Sequence, residues 1–117
     1  MSYKFEYTFP DHIKGDTFTG VKFDLSDVQR KGENLDLVGA SALMELRAMH
    51  PNGTLVDSFS DGAGITIDEG NTTITFDEQV VNVDVALYHY SIKIILDGGE
   101  ILTYIGGTWE ICINPTI

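Results

Sequence analysis

The sequence predicts an all-β fold, an antiparallel two-sheet sandwich of seven to eight short strands. Three observations carry that expectation. Apolar residues alternate with polar ones in several short runs, glycine, asparagine and aspartate separate the runs, and no stretch has a convincing helical period. The chain is 117 residues long with 43% hydrophobic and 10% aromatic residues. That is enough apolar material for one packed domain over residues 1–117.

Tyr3, Phe5, Tyr7 and Phe9 alternate with Lys4, Glu6 and Thr8, the period of two expected of a half-buried strand. Pro10 is expected to end it, and residues 1–9 also read as an N-terminal arm or edge strand. From Phe18 to Leu25 the apolar positions are Phe18, Val21, Phe23 and Leu25, so the phase slips near Gly20 as a bulge or bend requires. Residues 26–39 read as a long connection. Ala42, Met44, Leu46 and Ala48 then share one face and Glu45 and Arg47 the other. Ala, Leu, Met, Glu and Arg all favour helix, but the alternation and the following Pro51-Asn52-Gly53 turn into Leu55–Phe59 predict a strand.

Ile65–Ile67 and Thr73–Phe76 are two β-rich segments joined across Asp68-Glu69-Gly70-Asn71, which predicts a hairpin. Residues 77–86 read as a second long connection. Tyr88, Tyr90, Ile92, Ile94 and Leu96 form the longest alternation, and Asp97-Gly98-Gly99 turns it back into Ile101–Ile105 as the central hairpin. The pair Gly106-Gly107 is expected to interrupt the return strand with a bulge or sheet crossing, after which Trp109, Ile111 and Ile113 resume the inward phase. Strand count and alternation together predict an immunoglobulin-like arrangement, without the disulfide of antibody domains. A small closed barrel is the structural alternative.

Eighteen acidic against seven basic residues give a formal charge of −11. Such a surface repels a phosphate backbone and an anionic bilayer, which argues against nucleic acid and membrane as partners. The charge is uneven: residues 1–47 hold eight acids and six bases, a net of −2, whereas residues 48–117 hold ten acids and only Lys93, a net of −9. A solvated, solubilising surface accounts for this, and a docking face for a basic partner is the sharper reading. No apolar run reaches the roughly 18–20 residues of a membrane helix. Met1–Phe5 lacks the apolar core of a signal peptide, so the chain is expected not to be secreted by that route.

No catalytic, cofactor-binding or metal-binding residue stands out. His12, His50 and His89 fall in a turn, before a proline and on the polar face of a strand, without partners at ligand spacing. Cys112 is a single thiol beside Ile111 and Ile113, expected on the opposite side of its strand. Asp57 to Asp68 matches part of an EF-hand loop, but Phe59 occupies a position that needs oxygen and no helices flank it. An irregular calcium site from Asp57, Asp61 and Asp68 is the remaining variant. Gly62-Ala63-Gly64 lacks the last glycine of a nucleotide loop and is acidic. Asn52-Gly53-Thr54 and Asn71-Thr72-Thr73 fit the glycosylation triplet, but without export they read as turns. The carboxylate pairs Asp68-Glu69 and Asp77-Glu78 are neighbours that point apart, unlike the opposed acids of a glycosidase. No enzymatic activity is expected.

Gly15-Asp16-Thr17-Phe18 opens a strand, and Leu35-Asp36-Leu37-Val38-Gly39-Ala40 runs into Ala42–Arg47. Gly64-Ile65-Thr66-Ile67, Leu87-Tyr88-His89-Tyr90-Ser91-Ile92 and Gly106-Gly107-Thr108-Trp109-Glu110-Ile111 follow in order. Across roughly residues 13–113 this succession resembles small immunoglobulin-like β-sandwich proteins of bacteriophage and prophage tail and baseplate gene clusters. Val38 stands where that pattern has threonine, and Leu87 where it has glycine. The resemblance implies a non-enzymatic virion structural protein of tail, baseplate or fibre, without cofactor, resident in the host cytoplasm before assembly and in the virion afterwards. Its implied partners are other phage structural proteins or copies of itself. Two other functions are compatible with the residues: a carbohydrate-binding or adhesin-like domain presenting Tyr3, Tyr7, Tyr104 and Trp109 to a host surface glycan, and an acidic inhibitor mimicking nucleic acid.

Overall fold

A computed structural model describes residues 3–50 and 53–113 as an all-β fold, with no helix among the described residues. The Pro51-Asn52 part of the expected turn before Leu55 lies outside those residues. The first half of the chain forms β1 (Phe5–Glu6), β2 (Phe9–Ile13), β3 (Thr17–Phe18), β4 (Val21–Asp24), β5 (Gln29–Arg30), β6 (Glu33–Asn34) and β7 (Ser41–Ala48). The second half adds β8 (Leu55–Asp61), β9 (Gly64–Asp68), β10 (Thr73–Phe76), β11 (Gln79–Val80), β12 (Ala86–Ile95) and β13 (Ile101–Cys112).

Nine of these strands make one sheet in the order β1-β13-β12-β7-β8-β9-β10-β4, with β2 also on β13. The ribbons β3–β11 and β5–β6 complete the fold. The described residues thus form thirteen strands, most of them in one continuous curled sheet, where a two-sheet sandwich of seven to eight strands is expected. At the tight loop through Gly62 and Gly64, with φ of 81° and 105°, β8 and β9 keep the same direction and stay paired in parallel through Ser60↔Gly64 and Asp61↔Ile65. The sheet turns a corner there instead of breaking. Beyond the corner, β9, β10 and β4 come back over β2, β13 and β12.

Aromatic rings hold the two halves together. Phe9 of β2 lies 5.8 Å from Phe76 of β10 and 6.4 Å from Phe23 of β4, and Trp109 of β13 lies 5.7 Å from Phe76. Leu25, Leu37, Met44, Leu46, Ile74 and Ile92 are wholly enclosed in the same core. β7 is a strand, as the alternation predicts: Ala42, Met44 and Leu46 are buried while Glu45 and Arg47 are half-buried on the other face. Burial of the apolar set overrides the helical propensity of the segment. The hairpins β9–β10 and β12–β13 form in the expected places.

Pro10 does not end its run; it is the second residue of β2. β2 pairs only with β13, and the register slips between Trp109 and Ile111, where Pro10 and Asp11 stand. An edge strand at a bulge needs no ladder donor from proline. Nor does Gly106-Gly107 interrupt β13, which runs unbroken through both. A Cβ at Gly106 would collide with the Tyr3 ring and one at Gly107 with the Tyr7 carbonyl. The pair marks the close passage of another segment. Ile113 does not share the inward phase: Trp109 and Ile111 are buried, whereas Ile113 is 70% exposed. The connection 26–39 contains the small hairpin β5–β6, whose turn places Lys31 and Gly32 at φ of 56° and 81°.

Gly20 is the phase slip between β3 and β4. Its φ is +94° and an added Cβ would sit 2.9 Å from the Phe76 carbonyl oxygen. Gly20→Ala is expected to destabilise the fold by about 1–3 kcal/mol, read as a lower urea midpoint at unchanged m. A shift below roughly 0.5 kcal/mol would mean that no such constraint acts there.

Candidate functional site

The residues singled out from the sequence do not converge. His12 is not a solvated turn residue: because β2 continues past Pro10, its ring is buried at 8% exposure against Phe18 and Trp109. Its Nε2 lies 2.9 Å from the Asp16 carbonyl oxygen, which can only accept, so Nε2 carries the proton. His50 is exposed, and His89 is half-buried on the open face of β12 opposite Arg47 and Thr108. Cys112 is half-buried, its Sγ 3.5 Å from the His12 carbonyl oxygen.

The acidic loop candidates bind their own backbone. Asp57 accepts from the Ser58 amide at 2.8 Å, Asp61 from the Ala42 amide at 3.0 Å, and Asp68 from the Asn71 amide and side chain at 3.1 and 2.8 Å. The Asn71 bonds hold the Asp68 carboxyl below its ordinary range. No group of three His, Cys, Asp or Glu side chains suited to a metal occurs among the described residues. An open groove of about 500 Å³ does lie over β9, lined by Ala40, Asp61, Ile65, Thr66, Glu69 and Asp77. Its acids are also committed: Glu69 accepts from the Gly39 amide at 3.2 Å, and Asp77 accepts the Thr66 hydroxyl at 2.8 and 2.9 Å. This chemistry stitches loops and hairpin together.

Two other features are laid out for contact. The first is β8. Between Leu55 and Phe59 it is paired on one side only, with β7, and its pairing with β9 begins at Ser60. Leu55 and Val56 are 46% and 41% exposed. Met49 and Leu87, 77% and 47% exposed, meet at the same end of β7 and β12, where the Met49 amide donates to the Leu87 carbonyl. Beside them the open face carries an ion-pair group: Lys93 Nζ is 2.9 Å and Arg47 3.3 Å from the Glu45 carboxylate.

The second is the seat of the N-terminal strand on β13. The buried Tyr90 hydroxyl donates to the Tyr7 carbonyl at 2.5 Å, and Trp109 Nε1 to the Pro10 carbonyl at 3.1 Å. Burial raises the Tyr90 phenol well above its ordinary pKa. Of the four aromatics considered as a sugar platform, Trp109 is wholly enclosed, Tyr3 lies against Gly106, and Tyr104 sits under Lys4 with the ammonium 5.3 Å from the ring centre. Tyr7 alone of the four is exposed, at 39%. Sequence reasoning missed the β8 edge, because Leu55–Phe59 reads as an ordinary half-buried strand. Nothing local marks which side stays unpaired.

No family model and no curated protein matches the chain. Among solved structures, extracellular domains 3–5 of Drosophila OTK superpose with a TM-score of 0.36 at 14% identity, over 92% of this chain and 32% of that one. This chain thus spans about a third of that structure's length. No helix among the described residues is long and apolar enough to cross a membrane.

The hydrogen bond from Lys93, followed by the charges of Lys93 and Arg47, holds the Glu45 carboxyl below its ordinary value of 4.5. A carboxyl depressed by folding contributes stability that is present above the unfolded-state value and is lost as pH falls through the folded one. Glu45→Gln is therefore expected to lower the urea midpoint at pH 7, by a difference that shrinks as the pH is taken down below 4.5. A difference that stays the same as the pH falls would show that the ion pairs are inert.

Proposed function

We propose that the chain is an immunoglobulin-like module that acts without catalysis, through protein–protein contacts, as a structural component of a phage or prophage tail, baseplate or fibre. Strand order supports the fold assignment. β4-β10-β9 follows the B-E-D order of such sandwiches, and β7-β12-β13 the C-F-G order. The Tyr88 hydroxyl donates to the Asp84 carbonyl, four residues upstream, at 2.5 Å. That bond has the form of a tyrosine corner at the start of strand F, with Tyr90 two residues on in the place of the second cysteine.

The observation that carries the contact role is the half-free β8 edge. A strand paired on one side leaves backbone groups for an incoming strand, although the Ser58 amide is already taken by the Asp57 carboxylate, and exposed Leu55, Val56, Met49 and Leu87 supply apolar area beside it. Asp57 in the middle of this edge opposes pairing of β8 with its own copy in antiparallel register about that residue, since like charges would meet. The edge therefore suits a partner strand without an acid there. By the same reading the chain resides in the host cytoplasm before assembly and in the virion afterwards. The sugar-platform alternative loses its strongest member to the core with Trp109, and the inhibitor alternative has groove carboxylates already bound to this chain's own amides and hydroxyl.

The test is mass spectrometry of the virus-particle fraction from an induced culture of the source organism. Stoichiometric recovery of the chain in particles is expected, and recovery of all of it free in the cytoplasm contradicts the proposal. Leu55→Glu together with Val56→Glu is expected to leave thermal stability within about 0.5 kcal/mol of the parent while shifting the chain from the particle fraction to the soluble one.

A further inference from the structure

Two Asp-Gly pairs occur in the chain, Asp61-Gly62 and Asp97-Gly98, and all four residues are exposed. Asp-Gly is the aspartyl sequence most prone to isomerise, because glycine, without a Cβ, leaves its amide nitrogen open and its backbone free to reach the attack geometry. Exposure does not separate the two pairs. Hydrogen bonding does.

Asp61-Gly62 is tied down at both reacting groups. The Asp61 carboxylate accepts from the Ala42 amide at 3.0 Å, and the Gly62 amide donates to the Ile65 carbonyl at 3.0 Å. Attack of that nitrogen on that carboxyl carbon requires both bonds to open, at the corner where β8 pairs with β9. At Asp97-Gly98 the turn is closed by the neighbouring residues instead. The Gly99 amide donates to the Leu96 carbonyl and the Leu96 amide to the Glu100 carbonyl, each at 2.8 Å. The Gly98 amide donates to no backbone carbonyl among the described residues. The Asp97 carboxylate lies against Gly39, where a Cβ would meet Oδ1 at 2.8 Å, but the Gly39 amide donates to Glu69.

We propose that Asp97 is a site of spontaneous covalent modification, isomerising to isoaspartate in the folded protein while Asp61 is protected. The Gly98 nitrogen attacks the side-chain carboxyl carbon of Asp97. A C–N bond forms, and the hydroxyl of the protonated carboxyl leaves with the amide hydrogen as water, giving a succinimide. Water then adds at the backbone carbonyl carbon of Asp97 and breaks its bond to nitrogen. The chain thereafter runs through the former side-chain carbonyl, and the former backbone carbonyl is a free carboxylate. The water lost in the first step is regained in the second, and nothing is oxidised or reduced.

The product has one more methylene in a turn that also steadies the 26–39 connection, since Asp97 lies on Gly39 and Glu100 pairs with Arg30 of β5. Isomerisation therefore loosens the hold of the β12–β13 hairpin on that connection. The chemistry needs no partner, so the proposal stands or falls separately from the virion role.

The test is incubation of the folded 117-residue chain near neutral pH at body temperature for several weeks, followed by trypsin. Lys93 is the only basic residue after Arg47, so Asp61 falls in peptide 48–93, and peptide 94–117 holds Asp97 as its one aspartate. Isoaspartate is read as a second chromatographic peak of unchanged mass that resists a protease cutting before aspartate. Deamidation of Asn52 is read separately, as a mass increase in 48–93. The isomer is expected to accumulate in 94–117 while cutting before Asp61 is retained. In guanidinium both aspartates are expected to isomerise at comparable rates, which assigns the difference to the fold. Equal accumulation at both positions in folded protein, or none at Asp97, overturns the proposal. In Gly98→Ala the added Cβ meets nothing within 4 Å and the backbone is not left-handed. This variant is expected to keep the parent's melting temperature and to slow the reaction at Asp97 many-fold. Unchanged accumulation in it also overturns the proposal.

Discussion

The ring of Phe9 is the point at which the two halves of the curled sheet meet. It stands 5.5 Å from Phe18, 4.4 Å from Tyr90 and 5.0 Å from Trp109, besides Phe76 and Phe23 across the core. Those neighbours come from β3, β12, β13, β10 and β4. A sheet joined at one corner by two residue pairs has little backbone constraint on how far it closes, so the aromatic contacts set the distance between its halves. Placing Phe9 there requires β2 to run beside β13, and that in turn fixes several otherwise unrelated features: the bulge at Pro10, the glycine pair in β13 and the donors of Tyr90 and Trp109.

A curled sheet that does not close as a barrel keeps edges. Here they are treated differently. The β4 edge is short and carries Lys22 and Asp24, and the β13 edge is covered by the arm. The β8 edge is left with Asp57 as its one acid between Leu55 and Phe59. A net charge of −11 keeps copies apart in solution, so association through any edge needs specific apolar or backbone contact to overcome it. Contacts of that kind are concentrated where Met49, Leu55, Val56 and Leu87 are exposed.

Much of this architecture is legible in the sequence because period and turn chemistry are local. The strands β7, β12 and β13 announce themselves through alternation of enclosed residues such as Met44, Ile92 and Trp109, and the β9–β10 hairpin through Asp68 and Asn71. What local pattern does not encode is the identity of the neighbour. Pro10 looks like a stop until its strand is known to be an edge with a bulge, and His12 then follows inward instead of into water. Gly106-Gly107 looks like a break until Tyr3 and Tyr7 are seen to pass over it. The hairpin β5–β6 has no apolar alternation within it, since Gln29, Arg30, Glu33 and Asn34 are all polar. The candidate contact surfaces were still less legible: the exposure of Leu55 and Val56 depends on sheet order, and none of the histidine, cysteine or aspartate sets considered as sites is assembled by the fold.

The dependence of both sheet halves on Phe9 is tested most directly by replacing it with alanine and measuring the unfolding free energy in urea with Trp109 fluorescence as the probe. A loss of about 3–5 kcal/mol is predicted, accompanied by a red shift of Trp109 emission in the folded state as water reaches the indole. A loss below roughly 1 kcal/mol with an unchanged emission maximum would contradict it, and would place the closure of the sheet on other contacts.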